Sequence, residues 1–165
     1  MQIHSENISI RTFLVPGDIG YIAYLHGKLY NQEYHFGIAF ETYVARGLLD
    51  FYESFDSHKD RVWICENKGQ IIGFLLLQHR EPKTAQLRYF IVHPDYRGSG
   101  LGKQLMNQFM EFLRKANYTH CYLWTTDELD AAASLYTRHG FTLTEEKESD
   151  AFGKLVVEQR YDWIK

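Results

Sequence analysis

Residues 92–105 read V-H-P-D-Y-R-G-S-G-L-G-K-Q-L, and this stretch constrains the fold more than any other part of the chain. An apolar run, 87–92, leads into it, and an amphipathic run begins at Leu101. The pattern predicts a strand, a glycine-rich loop and the first turn of a helix. Glycines at 98, 100 and 102 let the backbone approach a ligand because no Cβ stands in the way. A helix N-terminus adds N–H groups that lack helical acceptors, together with the positive end of the peptide dipole.

These features together predict a phosphate-binding loop with Arg97 at its edge. Two better-known phosphate motifs do not fit the segment. A P-loop requires Gly at 97 and Ser or Thr at 104, where this chain has Arg97 and Gln104. A dinucleotide fingerprint requires Gly at 103, where the chain has Lys103. Taken alone, the segment leaves open a plain strand-to-helix turn that happens to be rich in glycine.

Length and composition exclude several classes of protein. The chain has 165 residues, so we expect a single domain over 1–165. The net charge of −3, with no block of like charges, argues against a dedicated nucleic-acid binder. Because the start lacks the apolar core of a signal peptide and no run of 18 apolar residues occurs, we expect a cytoplasmic protein that does not insert into a membrane. The 8 histidines and 2 cysteines show no ligand spacing, so we expect no metal and two buried cysteines in a reducing compartment.

Hydrophobic periodicity predicts the element order β-α-α-β-β-β-α-β-α-β-β. The predicted strands are 8–13, 61–66, 70–79, 84–92, 119–124, 141–147 and 154–161, and the predicted helices are 19–29, 40–55, 101–116 and 129–138. Asp18 is the expected N-cap of the first helix, and an aromatic, polar linker is expected over 30–37. Asn117 is expected to end the helix over 101–116 in the left-handed conformation. The strand–helix–strand segment 85–124 is expected to form a right-handed parallel crossover. The fold class is therefore α/β (α+β), with a mixed, mostly antiparallel sheet of about seven strands and about four helices.

A second motif follows the predicted fifth strand. Residues 131–141 read A-A-A-S-L-Y-T-R-H-G-F, with Tyr136 on a short helix that Gly140 ends. The pair R-x-x-G-x-G and A-x-x-L-Y-x-x-x-G-F, in this order, resembles the GNAT superfamily of acetyl-CoA-dependent N-acetyltransferases. The resemblance covers 87–141. Members often carry Asn where this chain has Leu129, which puts one polar contact made by some relatives in doubt.

The resemblance implies that acetyl-CoA is the cosubstrate. Backbone N–H groups along the glycine loop would hold the pyrophosphate, and main-chain groups at the end of the fourth strand would pair with pantetheine. The cofactor-binding residues expected on this basis are Ile91, Val92, Arg97, Gly98, Ser99, Gly100, Leu101, Gly102 and Lys103. Lys103 is equally well read as a solvated helix residue. Tyr136 would protonate the departing thiolate, although a core tyrosine on an amphipathic helix is the commoner reason for this pattern.

The general base is left open by the sequence. Many relatives place Glu on the fourth strand, but here T-A-Q-L-R-Y-F-I-V contains no carboxylate. Glu33, Asp127 and a backbone-held water are the alternatives, and Glu33 is preferred because its segment borders the acceptor side in this superfamily. Tyr30, Tyr34, Phe36 and Asp127 are the expected substrate-binding residues. Packing in the core is the alternative for the three aromatic residues, and an exposed loop carboxylate is the alternative for Glu33.

Four further stretches resemble a GNAT subgroup that is often fused to MarR-type regulators. They read R-T-F-L-V-P-G-D-I-G-Y, H-G-K-L-Y-N-Q-E-Y, L-W-T-T-D-E-L and A-F-G-K-L-V-V-E-Q. The DNA-binding role of such fusions does not carry over, so no nucleic-acid partner is expected. The function implied is transfer of an acetyl group by direct attack of a primary amine on a small molecule or peptide. A non-catalytic acyl-CoA-binding sensor is the alternative, and a homodimer is expected only by analogy.

Overall fold

The computed structural model describes residues 7–165. Its strands are β1 (Ile8–Arg11), β2 (Arg61–Asn67), β3 (Gln70–Glu81), β4 (Thr84–Val92), β5 (His120–Thr126), β6 (Thr142–Ser149) and β7 (Val156–Ile164), and its helices are α1 (Asp18–Tyr34), α2 (Ile38–Glu53), α3 (Leu101–Lys115) and α4 (Asp130–Arg138). The predicted order of elements is confirmed. The strands form a seven-stranded sheet in the order β1-β2-β3-β4-β5-β7-β6. This mixed α/β architecture confirms the predicted fold class.

The chain divides into two compact units, which we call the first and the second unit. Within the described residues, the first unit comprises 7–13, 57–121 and 164–165, and the second comprises 14–56 and 122–163. The prediction of a single domain over 1–165 is not tested by this division and stays a prediction.

The first unit is built on the antiparallel ladder of β1 to β4. Residues 71–78 of β3 are all buried, as expected for a strand whose two faces are both covered. Trp63 of β2 lies with its ring centroid 5.7 Å from that of Phe109 on α3, which places α3 on this face of the ladder. Burial of these apolar side chains is the main stabilising contribution to the unit.

The end of α3 follows the expected left-handed cap. Asn117 adopts φ 61°, and its N–H donates to the Arg114 carbonyl at 3.0 Å. The N–H of Tyr118 reaches back to the Leu113 carbonyl at 3.1 Å. These two bonds form a Schellman motif, which satisfies carbonyl groups that the helix itself leaves without donors. The prediction that Asn117 takes this conformation is confirmed.

The second unit brings α1 and α2 into close contact. A Cβ on Gly27 would lie 2.9 Å from the Cβ of Glu41, which cannot rotate away, so the observed separation of the two helices requires glycine at this position. Among the described residues, no helix is both long enough and apolar enough to span a bilayer.

Two local predictions at the ends of α1 were wrong. Gly17, with φ 98°, is the N-cap, and Asp18 is the first helical residue. Asp18 still serves the helix start, because its Oδ2 accepts the Val15 N–H at 2.7 Å. The linker expected over 30–37 is reduced to three residues, because helical periodicity continues through Tyr34 and α2 begins at Ile38. Tyr30 therefore lies on α1 rather than in a loop.

Both cysteines are buried, as the sequence predicts. Neither forms a disulfide within the described residues. Burial raises the pKa of the Cys65 thiol from its ordinary value of 9.0 to about 12. In the unfolded chain the thiol ionises near pH 9, whereas in the folded chain it stays protonated. The contribution of the Cys65 thiol to the free energy of unfolding is therefore fully present below pH 9, and it is lost as the pH rises from 9 towards 12.

Replacement of Cys65 by Ala is expected to make the fall in unfolding free energy above pH 9 shallower, by up to about 1.4 kcal/mol per pH unit. Urea unfolding at pH 8 to 11 measures this slope. In a Cys121→Ala background, the Cys65 thiol of the native protein should react with a thiol reagent at pH 8 only as fast as the protein opens. Rapid modification of native protein would contradict the expectation.

Candidate functional site

A β-bulge in β4 precedes the glycine loop. Pairing runs Leu76 with Arg88 and Phe74 with Ile91, so two residues of β4 face one residue of β3. Tyr89 within the bulge has φ 57°, a left-handed conformation that is costly for a bulky side chain. A bulge of this kind redirects a strand and interrupts its ladder. Nothing in the sequence indicated it, because no glycine marks the position.

Past the bulge, the last two residues of β4 differ in where their main-chain groups point. Val92 is opposite Gly73, and the next N–H, of His93, donates to the Ile72 carbonyl at 2.8 Å. Because antiparallel pairs alternate, the polar groups of Val92 point away from β3. The Ile91 carbonyl oxygen lies 3.5 Å from a Cβ built on Gly73, and so it faces β3. The geometry therefore favours Val92 for pairing with a ligand, and both assignments stay predictions.

The predicted phosphate-binding segment, residues 97–103, is open at two of its glycines. We call it the phosphate loop. Gly98 has φ 73° and Gly100 has φ 88°, and a Cβ added to either would meet no atom within 4 Å. The first bond of α3 runs from the Gln104 N–H to the Gly100 carbonyl at 3.0 Å. The N–H groups between these two residues therefore have no acceptor within the helix.

The charge around the phosphate loop suits an anion. The α3 N-terminus has no side-chain cap and no acidic residue in its first turn. Arg97 is exposed, and its Nε donates to the Val92 carbonyl at 3.0 Å. Lys103 is exposed on the first turn of α3. This position is compatible with both roles that the sequence leaves open, a phosphate contact and a solvated helix residue. Ser99 holds the loop itself, because its Oγ donates to the Tyr96 carbonyl at 2.6 Å.

Tyr136, in the second unit, is a buried phenol on α4. It is 5% exposed, and the rings of Phe141 and Tyr161 each lie 6.3 Å from it between centroids. Burial raises the pKa of Tyr136 well above its ordinary value, and the negative charge that Tyr30 can carry raises it further. The phenol is therefore protonated at neutral pH and can act as a hydrogen donor.

The expected substrate-binding aromatics lie in one cluster of the second unit. Phe36 is almost fully buried, and its ring centroid is 5.5 Å from that of Tyr30. Tyr30 and Tyr34 are half-buried, so a ligand could reach them but not Phe36. The rings that complete the cluster are Phe40, Tyr43 and Phe152. Core packing, the alternative left open by the sequence, describes Phe36 well.

Lys154 is a residue of this cluster that sequence reasoning left without a role. Its Nζ donates to the Tyr34 carbonyl at 2.8 Å and to Glu128 Oε1 at 2.6 Å. One ammonium group thus joins the end of α1 to the segment that follows β5. The neighbouring Gly37 N–H donates to the Phe152 carbonyl at 2.8 Å, which seats the β6–β7 loop on the same corner. In the sequence, only the A-F-G-K stretch, residues 151–154, indicated that this loop matters.

The two candidate carboxylates differ in their surroundings. Glu33 is exposed on the last turn of α1. Asp127 is also exposed, but its Oδ1 accepts the Val157 N–H at 3.3 Å, and its own N–H donates to the Val157 carbonyl at 3.0 Å. Asp127 therefore helps to fix the start of β7 through these two hydrogen bonds. Within residues 7–165, no group of three or more His, Cys, Asp or Glu side chains is placed to hold a metal ion.

Comparison with known proteins agrees with the fold and with the two motifs. The model of the acetyltransferase (GNAT) family matches residues 22–141. The chain is 31% identical over 118 residues to N-acetyltransferase family 8 member 2 of Rattus norvegicus, covering 66% of this chain and 52% of the relative. It is 30% identical over 103 residues to the uncharacterized N-acetyltransferase YjgM of Escherichia coli, covering 61% of this chain and 62% of the relative.

Among solved structures, an acetyltransferase from Streptococcus agalactiae superposes with a TM-score of 0.77 at 20% identity, covering 97% of this chain and 99% of that one. This match shows the fold. The family match covers most of the chain, and the chain therefore belongs to the GNAT family of acetyltransferases. The chain spans about half the length of the curated relatives it matches.

Proposed function

We propose that the protein transfers an acetyl group from acetyl-CoA to a primary amine of a small molecule, peptide or protein, by direct attack of the amine. The observation that carries the proposal is the open phosphate loop at the uncapped N-terminus of α3, in a member of the GNAT family. Such a helix start binds phosphate through its N–H groups and dipole. The loop residues from Arg97 to Lys103, with the main chain of Val92 and Ile91, are the proposed cofactor contacts.

Tyr136 is the proposed acid for the leaving thiolate. A phenol with a raised pKa is a weak acid, so the transfer requires a thiolate of comparable basicity. Burial raises the proton affinity of a thiolate, as the pKa of about 12 at Cys65 illustrates in this chain. A thiolate that leaves in an apolar site next to Tyr136 would therefore draw its proton, and the protonated product would not reverse the reaction.

Glu33 remains the proposed base, since an attacking amine must lose a proton and a lysine-type amine titrates near about 10.4. Its exposure supports the proposal because an exposed carboxylate can pass the proton to water. Asp127 is the weaker candidate because its carboxylate also holds β7. Tyr30 and Tyr34 are the proposed acceptor contacts.

The wider setting of the protein is also proposed. We infer a cytoplasmic protein without metal, nucleic-acid or membrane partner, and the two buried cysteines, which form no disulfide, support a reducing compartment. Likeness to the subgroup often fused to MarR-type regulators rests on the four stretches quoted above. A homodimer rests on analogy alone. The sensor alternative gains no support from the buried, protonated Tyr136, because binding without turnover needs no acid.

Gly100→Asp is expected to raise the Kd for CoA at least about 100-fold, because a carboxylate would enter the space over the helix start and oppose the phosphate charge. Calorimetric titration measures the change. Gly100→Asn separates charge from bulk and should weaken binding less. Gly17→Asp is the matched control, since Gly17 is also a helix N-cap with φ 98° and open space around it. Equal CoA affinity in the Gly17 and Gly100 variants would remove the loop assignment.

Tyr136→Phe is expected to lower kcat about 100-fold while the Kd for acetyl-CoA stays constant, because only the transferable proton is removed. A thiol-release assay against a broad amine panel, with calorimetry alongside, measures both quantities. Tyr161→Phe removes a hydroxyl from an adjacent buried ring and should leave kcat within about 2-fold. Tight binding by wild type without turnover on any amine would favour the sensor alternative.

Glu33→Gln is expected to lower kcat/KM at least about 10-fold at neutral pH, because the carboxylate that takes the amine proton is removed. Glu53→Gln, which removes an exposed carboxylate at the end of α2, is the matched control and should leave kcat/KM unaltered. If Asp127→Asn lowers kcat/KM instead, the base is Asp127. A kcat/KM that survives both substitutions points to backbone-held water.

A further inference from the structure

The position of the phosphate loop depends on the short turn that precedes it. Residues Pro94–Tyr96 form one turn of 3-10 helix between β4 and the loop. The turn closes on itself, because the Tyr96 N–H donates to the His93 carbonyl at 2.9 Å and the Arg97 N–H donates to the Pro94 carbonyl at 3.1 Å. The Tyr96 carbonyl also accepts a hydrogen bond from the Ser99 hydroxyl, so the turn and the loop are linked to each other.

A side chain from a distant part of the first unit is hydrogen-bonded to this turn. Nδ2 of Asn67, the last residue of β2, donates to the hydroxyl oxygen of Tyr96 at 3.0 Å, across 29 residues of sequence. At the other end of the turn, the His93 N–H bonds the Ile72 carbonyl on β3. The β2–β3 hairpin is therefore hydrogen-bonded to the turn at two points, once through its backbone and once through the Asn67 side chain.

The surroundings of Asn67 indicate that this side chain has a role beyond filling space in the core. Its Oδ1 is fully buried and has no hydrogen-bond partner among the described residues. Burial of an unpaired acceptor costs stability. If the amide is rotated by 180°, Oδ1 accepts from the Tyr96 hydroxyl and Nδ2 becomes the unpaired group, so the link to Tyr96 survives either orientation. An apolar residue at 67 would avoid this cost and lose the link.

We propose that Asn67 is a positioning residue for the phosphate loop, which it orients through the Tyr96 hydroxyl for binding the pyrophosphate of acetyl-CoA. The inference rests on the proposed function. Phosphate recognition by backbone N–H groups needs several of them to converge on one anion, so a small rotation of the turn weakens all these bonds together. Asn67 touches neither the thioester nor the acceptor in this scheme. Its loss should affect affinity for donors that carry the pyrophosphate and leave the chemical step unchanged.

Tyr96→Phe and Asn67→Ala test the link from its two sides. Each is expected to raise the Kd for CoA and the KM for acetyl-CoA about 3- to 10-fold, with kcat at saturating acetyl-CoA unchanged. The double variant should match either single variant, because both remove the same bond. With S-acetyl-pantetheine, which lacks the pyrophosphate, kcat/KM should stay at the wild-type value. Equal losses with both donors, or an unchanged Kd for CoA, would overturn the proposal.

Hydrogen exchange of the free protein gives a readout that needs no substrate. The amides of His93, Tyr96 and Arg97, which are hydrogen-bonded in and around the turn, should exchange faster in both variants, while those of β6 keep their wild-type rates. Tyr118→Phe is the matched control in the same unit, because that hydroxyl bonds the Lys59 carbonyl and His79 Nδ1 at the far end of β3. It should leave the Kd for CoA unchanged even if it lowers the melting temperature. A comparable Kd rise in Tyr118→Phe would mean a general structural effect.

The two proposals fail in different ways. If wild type does not bind CoA, or if Gly100→Asp binds it as well as wild type does, the loop assignment fails and this inference fails with it. If Gly100→Asp abolishes binding while Tyr96→Phe and Asn67→Ala bind as wild type does, only the positioning role is lost. Should Asn67→Ala not fold, Tyr96→Phe alone decides, because it keeps the ring and removes one hydroxyl.

Discussion

The N-terminus of α3 has backbone N–H groups with no side-chain cap, and the first unit is arranged around that constraint. Helix starts normally gain stability from a capping oxygen or an acidic first turn, as α1 does through Asp18. At α3 both are absent, and Gly100 stands at the capping position. The left-handed glycines open the space above the N–H groups, where a bound anion would supply what a cap supplies elsewhere. The proposed binding site would thus use the part of the helix that lacks internal partners.

The same constraint explains how the segment that leads from β4 into α3 is built. The bulge at Tyr89 turns the end of β4, and the following 3-10 turn delivers Arg97 and Gly98 to their positions. Backbone recognition has no adjustable side chains, so its accuracy depends on how firmly the loop is anchored. The Asn67–Tyr96 bond and the backbone bond from His93 provide that anchoring from one hairpin. A strained residue and an unpaired buried acceptor lie beside this loop, where structures commonly concentrate such costs.

The role proposed for Tyr136 in the second unit depends on burial rather than on charge. Tyr136 is surrounded by aromatic rings, and burial keeps its phenol protonated. The aromatic cluster at the end of α1 is mostly core, with Tyr30 and Tyr34 at its accessible margin. Lys154 and Phe152 tie the β6–β7 loop to this corner. Specificity for the acceptor is therefore expected to depend on the few half-buried groups at the margin rather than on Phe36.

The sequence by itself determined the element order, the fold class, the family and the glycine-rich turn between β4 and α3, because these depend on local patterns: periodicity, glycine placement and the spacing within two motifs. It also determined the left-handed cap at Asn117, which a single residue type encodes. Only the tertiary structure decided the β4 bulge, the Asn67–Tyr96 link and the role of Lys154, since each depends on residues that are distant in sequence. Local pattern misjudged the linker at 30–37, because aromatic side chains that suggested a loop are held on α1 by packing against α2 and the β6–β7 loop. Contacts across the fold, which no short stretch encodes, decide which residues a site can use.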